Sequence, residues 1–118
     1  MQLNWIKCQG DVWCKLNSVN LSHEHFNNRY GVYIIWHGGT KSAVVYVGQG
    51  NIKERLAEHR INSEIQSFES VGLYVTWASV PKEYRNGIEL YLASKWKPIV
   101  GGNYPEVTPI EVNSPWQS

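Results

Sequence analysis

The stretch Gly31-Val32-Tyr33-Ile34-Ile35-Trp36-His37, then Gly38-Gly39-Thr40-Lys41, then Ala43-Val44-Val45-Tyr46-Val47-Gly48, decides the fold. The two flanking runs are β-branched and aromatic, which favours strands. The short glycine-rich segment between them is turn chemistry, so the pair reads as an antiparallel hairpin. Strand alternation places Val32, Ile34 and Trp36 on one face and Tyr33, Ile35 and His37 on the other. Both faces are apolar, and both are therefore expected to be covered. In the register that pairs His37 with Ser42, Tyr33 lies directly opposite Tyr46 and the two phenols stand side by side.

Working outward, residues 51–60 read as a helix. Asn51 with Glu54 three positions later forms a capping-box-like start. Ile52 and Leu56 share one stripe, and Arg55 and His59 lie one turn apart on the adjoining stripe. The apolar phase changes at Ile61 and Ile65, which predicts a break near Asn62-Ser63 and a second short helix. Residues 72–78 read as a third strand with Leu73, Val75 and Trp77 on one face. Pro81 suits the start of another helix, which carries Ile88, Tyr91, Leu92 and Lys95 at helical spacing with Glu89 beside them. Pro98 ends that helix near Trp96. Gly87 is its weak point, at about 1 kcal/mol against alanine.

Residues 1–30 form a mixed N-terminal segment anchored by Trp5, Trp13, Leu16, Val19 and Leu21, with loop or short turns over 17–28. Residues 104–118 read as a proline-rich, loop-like tail in which Trp116 is expected to be exposed. The expected architecture is one α+β domain over 1–118: a small three-stranded antiparallel sheet flanked by helices, with the motif-bearing core at 31–103.

Composition narrows the function classes. The chain has 118 residues, 11 Lys and Arg, 10 Asp and Glu, and a formal charge of +1, which excludes a polybasic nucleic-acid wrapper but not a small local contact patch. No apolar run approaches the length needed to span a bilayer. Met1 to Gly10 has no basic head followed by an apolar stretch, so no secretory signal is read and a cytoplasmic location is expected. Cys8 and Cys14 make no disulfide framework and read as small buried apolar residues. With His23 and His25 they are also a candidate zinc set, although the five-residue gap between the cysteines is wider than structural zinc spacing. Gly48-Gln49-Gly50 lacks the further glycines and the lysine of a phosphate loop.

The polar residues that structure alone does not require are Tyr33, Tyr46, Arg55, His59, Glu89 and Asn103. Gly31-Val32-Tyr33, twelve residues, then Tyr46-Val47-Gly48 resembles the paired motif of the GIY-YIG nuclease superfamily. Arg55 and His59 match that family's helix Arg and the His-or-Tyr one turn later. Glu89 matches its metal-binding Glu, and Lys97-Pro98 followed by Asn103 matches its closing Pro and Asn. Gln49 stands where many relatives carry a basic residue. The resemblance spans 31–103. It implies a stand-alone endonuclease domain that hydrolyses DNA phosphodiesters with one divalent ion per site, Mg2+ or Mn2+, held by Glu89. It also implies an Arg55 clamp on the phosphate, a Tyr33 or Tyr46 general base, His59 as relay or orienting group, and Asn103 as a group that fixes local geometry or contacts the phosphate. Which tyrosine takes the proton stays open. The alternatives are RNA as substrate and a non-cutting binding module that keeps the fold. Symmetric cutting of a duplex calls for two active sites, which a homodimer would supply, and the net charge of +1 fits weak, non-specific cleavage or recruitment by a partner protein.

Overall fold

The computed structural model describes residues 1–116. Its strands are β1 (Cys14–Lys15), β2 (Tyr30–His37), β3 (Ala43–Asn51) and β4 (Leu73–Ser79), and its helices are α1 (Ile52–His59), α2 (Ser63–Gln66) and α3 (Lys82–Trp96). All strand pairs are antiparallel and the spatial order is β1-β4-β2-β3. The chain is therefore α+β as expected, but the sheet has four strands rather than three. The added strand, β1, is two residues long and pairs Cys14 with Val75 and Lys15 with Tyr74. A segment that short carries no readable alternation.

Helices α1 and α2 begin where the sequence offers a side-chain cap. Asn51 Oδ1 accepts from the Glu54 amide at 3.0 Å, and Asn62 Oδ1 accepts from the Ile65 amide at 3.0 Å, each satisfying one orphan donor. Pro81 precedes the first residue of α3, and the helix ends at Lys97, whose φ of 48° leads into Pro98. Gly87 is retained inside α3 because the C-terminal segment crosses it. A Cβ there would stand 2.7 Å from Ile110 Cδ1, and the Ile110 amide donates to the Gly87 carbonyl at 2.9 Å.

The two sheet faces carry two cores. Tyr33, Ile35, Val45, Val75 and Trp77 pack beneath Ile52, Leu56 and Ile65 of α1 and α2, joined by Leu16 and Phe26 of the N-terminal segment. On the other face Val32, Ile34, Trp36, Val44 and Val47 pack against Ile88, Leu92 and Ala93 of α3 and against Val112. The termini are tied together there: the Leu3 amide donates to Asn113 Oδ1 at 2.6 Å, and Trp5 Nε1 donates to the Asn113 carbonyl at 2.9 Å. Trp116 is half-buried rather than exposed, with its ring 4.9 Å from Trp36 and 5.1 Å from Trp96. Edge-to-face indole packing offers it more than solvent does. Among the described residues no helix is long and apolar enough to cross a membrane.

The hairpin register departs from the expected one. His37 pairs with Ala43 rather than Ser42, and a bulge between Ile35 and Trp36 puts Tyr46 opposite Ile35 and Gly48 opposite Tyr33. The side-chain period along a strand is two, so a two-residue displacement leaves Tyr46 on the same face as Tyr33. The tyrosines are diagonal neighbours instead of a direct pair.

The reading of the cysteines is also corrected. Cys8 and Cys14 form a disulfide, with Cα atoms 5.1 Å apart. Gly10 at φ 82° and Asp11 at φ 57° reverse the chain between them, and Cys8 bridges to Val12. The bond consumes both thiols of the candidate zinc set, and among the described residues no three His, Cys, Asp or Glu side chains gather to hold a metal. It also removes one support for a reducing compartment.

Candidate active site

The site lies along the β3 edge of the sheet, between α1 and α3. Tyr33 enters from the middle of β2 with its ring 1 % exposed. It occupies the space that a side chain on Gly48 would fill: a Cβ there would lie 2.5 Å from Tyr33 Cζ and closer still to its hydroxyl. The second glycine-ended tripeptide of the motif thus exists to admit the tyrosine of the first. Tyr46 stacks on it with centroids 6.1 Å apart and planes 15° from parallel.

His59, at the end of α1, turns inward beneath both rings. Its centroid lies 5.4 Å from Tyr33 and 4.4 Å from Tyr46, and Nε2 is 2.6 Å from the Tyr33 hydroxyl. Burial holds the imidazole at a pKa of about 4, with Glu58 favouring protonation and Arg55 opposing it. The neutral ring therefore accepts from the phenol at Nε2 and carries its own proton on Nδ1. Stability should respond to this group. The unfolded chain protonates His59 at its ordinary 6.5, and the folded chain resists until about 4. The His59 contribution is complete above pH 6.5 and declines as pH falls toward 4, by up to about 1.4 kcal/mol per pH unit. Urea unfolding at pH 7, 6 and 5 should show this loss in the parent and a shallower one in His59→Gln; equal slopes would contradict it.

Arg55, one turn before His59, is half-exposed. Its guanidinium sits 3.7 Å from Glu58 and 3.2 Å from the position a Cβ on Gly50 would take. Gly50, at φ 126°, leaves room for the arginine beside the groove. Glu89 comes from α3 on the opposite wall. Burial raises its carboxyl to about 7 against the opposing pull of Arg55 and the Gln49 amide. It makes no ion pair with Arg85, whose Nε donates to the Val80 carbonyl at 2.9 Å.

These side chains line a polar groove of two lobes. The first, about 180 Å³, is bounded by Tyr33, Tyr46, Gly48, Gln49, Gly50, Arg55 and Glu89. The second, about 400 Å³, is bounded by Tyr46, Glu89, Gly101, Gly102, Asn103 and Tyr104. Tyr46 and Glu89 belong to both, so the lobes meet at a phenol and a carboxylate. Asn103 forms part of the outer lobe and is exposed. His59 is behind the wall, reaching the groove through the tyrosines.

Burial raises both phenols above their ordinary 10, Tyr33 the more strongly. For Tyr46 the next contribution after burial is the Glu89 carboxylate; Arg55 acts in the opposite sense on both rings. Two neighbours of these side chains were not read from sequence: Tyr104 lines the outer lobe, and Asn86, outside both linings, accepts from Gln49 Nε2. Tyr104 lies just past the last motif residue. Asn86 lies three residues before Glu89, a spacing that puts it on the same helix face and would have marked it. Compared with models of known families, with curated proteins and with solved structures, the chain matches none.

Proposed function

We propose that the chain is a GIY-YIG-type endonuclease that hydrolyses DNA phosphodiesters with a divalent ion, Mg2+ or Mn2+. One observation carries the reading. Tyr33, Tyr46, Arg55, Glu89 and Asn103, drawn from two strands, two helices and a loop, line one two-lobed polar groove, and His59 bonds Tyr33 directly behind it. The long antiparallel strands β4-β2-β3, with α1 and α3 on opposite faces, support the same family likeness.

The donor set fits a hard cation. Mg2+ keeps several waters and takes substrate phosphate oxygens, so one or two protein carboxylates suffice. Glu89 is the half-buried carboxylate at the junction of the lobes and would hold it. A divalent ion bound there supplies Lewis-acid stabilisation of charge on the phosphoryl oxygens. Arg55 presents a planar donor fork to the phosphate as charge builds. Tyr46, the phenol with access to both lobes, would take the proton of the attacking water as its phenolate, the form that Arg55 and a bound cation favour against burial. Tyr33 holds the Tyr46 ring in place by stacking, and His59 packs against it at a tilt. Asn103 offers amide donors to the phosphate at the outer end.

The test is a nicking assay on supercoiled plasmid and on single-stranded DNA and RNA, with Mg2+, Mn2+ or EDTA, run beside a Glu89→Ala variant. Relaxed or linear product that requires the metal and vanishes in the variant is expected. Equal product in both proteins would sink the site assignment. Tight binding without product under any metal would leave the non-cutting module as the better reading, and cleavage of RNA alone would correct the substrate.

A further inference from the structure

Gln49 lies on β3 directly after Gly48, on the face that looks toward α3. Its Nε2 donates to Asn86 Oδ1 at 2.6 Å. Asn86 and Glu89 are three residues apart on α3, hence on one helix face, and Gln49 and Glu89 line the same lobe of the groove. A carboxamide has two N–H donors and one carbonyl acceptor. One N–H is committed to Asn86. The other is available to the Glu89 carboxylate, which lines the same lobe.

We propose that Asn86 and Gln49 are a positioning pair: Asn86 fixes the Gln49 amide, and Gln49 fixes the Glu89 carboxylate in the orientation that receives a divalent ion. The inference rests on the nuclease reading and deepens it. Its logic is that of outer hydrogen bonds around metal-binding carboxylates, which orient the ligand without touching the ion. A neutral amide suits the task. It aims the carboxylate while leaving its charge unneutralised.

The experiment is a Mn2+ titration of the 15N-labelled protein, read from paramagnetic broadening of the Gly48, Gly50, Gly101 and Gly102 amides around the groove. Glu89→Ala defines the signal that belongs to the site. In Gln49→Ala the Mn2+ concentration for half-broadening should rise on the order of 10-fold or more, as for other second-layer losses. Asn86→Ala should raise it less. The double variant should match Gln49→Ala alone, because Asn86 acts through Gln49. In the nicking assay, added Mn2+ should restore the rate of Asn86→Ala, a change in metal requirement rather than in maximal rate. Unchanged spectra away from the groove certify that each variant is folded.

Parent-like Mn2+ broadening in Asn86→Ala, or a double variant whose loss is the product of the single losses, overturns the positioning pair while the metal site stands. Broadening of the parent no greater than that of Glu89→Ala overturns the metal site and the pair together.

Discussion

Gly48→Ala is expected to lower stability by about 3 kcal/mol and, in the same step, to remove cleavage. The methyl group would enter space held by the Tyr33 ring and hydroxyl. Tyr33 cannot yield cheaply, because it is 1 % exposed, stacked on Tyr46 and bonded to His59 at 2.6 Å. Moving it breaks a buried hydrogen bond and unseats both tyrosines of the groove. A loss of that size in a domain of this length lowers the melting temperature by on the order of 10 °C. The diagnostic background is Tyr33→Ala. With the ring gone the added methyl meets nothing from Tyr33, and Gly48→Ala should then be close to neutral, since alanine costs a strand less than glycine does. A cost of equal size in both backgrounds would show that the two positions are uncoupled and that Gly48 is kept for another reason.

This contact explains why the candidate site was legible in the sequence. The glycine of one tripeptide and the tyrosine of the other are two halves of one packing interaction, so the motif encodes a local geometry as well as a set of functional groups. The Asn51 cap, the α1 stripe of Ile52 and Leu56, and the end of α3 before Pro98 were legible for the same reason: each signal is local and has a single physical cause. What escaped is non-local. The bulge that sets Tyr46 opposite Ile35 depends on how the hairpin closes, and no residue type announces it. Strand β1 exists because β4 has a free edge for it. The Cys8–Cys14 bond depends on left-handed backbone at Gly10 and Asp11, which spacing alone does not reveal. Trp116 is half-buried because Trp36 and Trp96, distant in sequence, present ring faces to it. Gln49 read as a departure from the family pattern; its bond to Asn86 shows that a polar side chain at that position has a partner of its own.

The two tyrosines should separate cleanly when each loses only its hydroxyl. Tyr46→Phe is expected to slow cleavage by about 10²- to 10⁴-fold, the usual worth of a positioned proton acceptor, with little change in stability. Its ring is half-buried and meets both lobes beside Glu89, where a water on the phosphate can reach the phenol. Tyr33→Phe should do the reverse. Its hydroxyl is spent on His59 Nε2, so the variant leaves a buried ring nitrogen without a donor and should lose about 1–3 kcal/mol of stability while retaining a larger share of the rate. Burial raises both phenols and Arg55 lowers both, so either becomes a base only as the phenolate that the arginine and a bound cation favour. Accessibility is therefore what distinguishes them: a base must meet the water it deprotonates. Single-turnover rates and urea midpoints measured on the two variants decide the matter. A rate loss confined to Tyr33→Phe would transfer the proton to the Tyr33–His59 pair, with the imidazole as its next stop, and leave Tyr46 as the stacking partner.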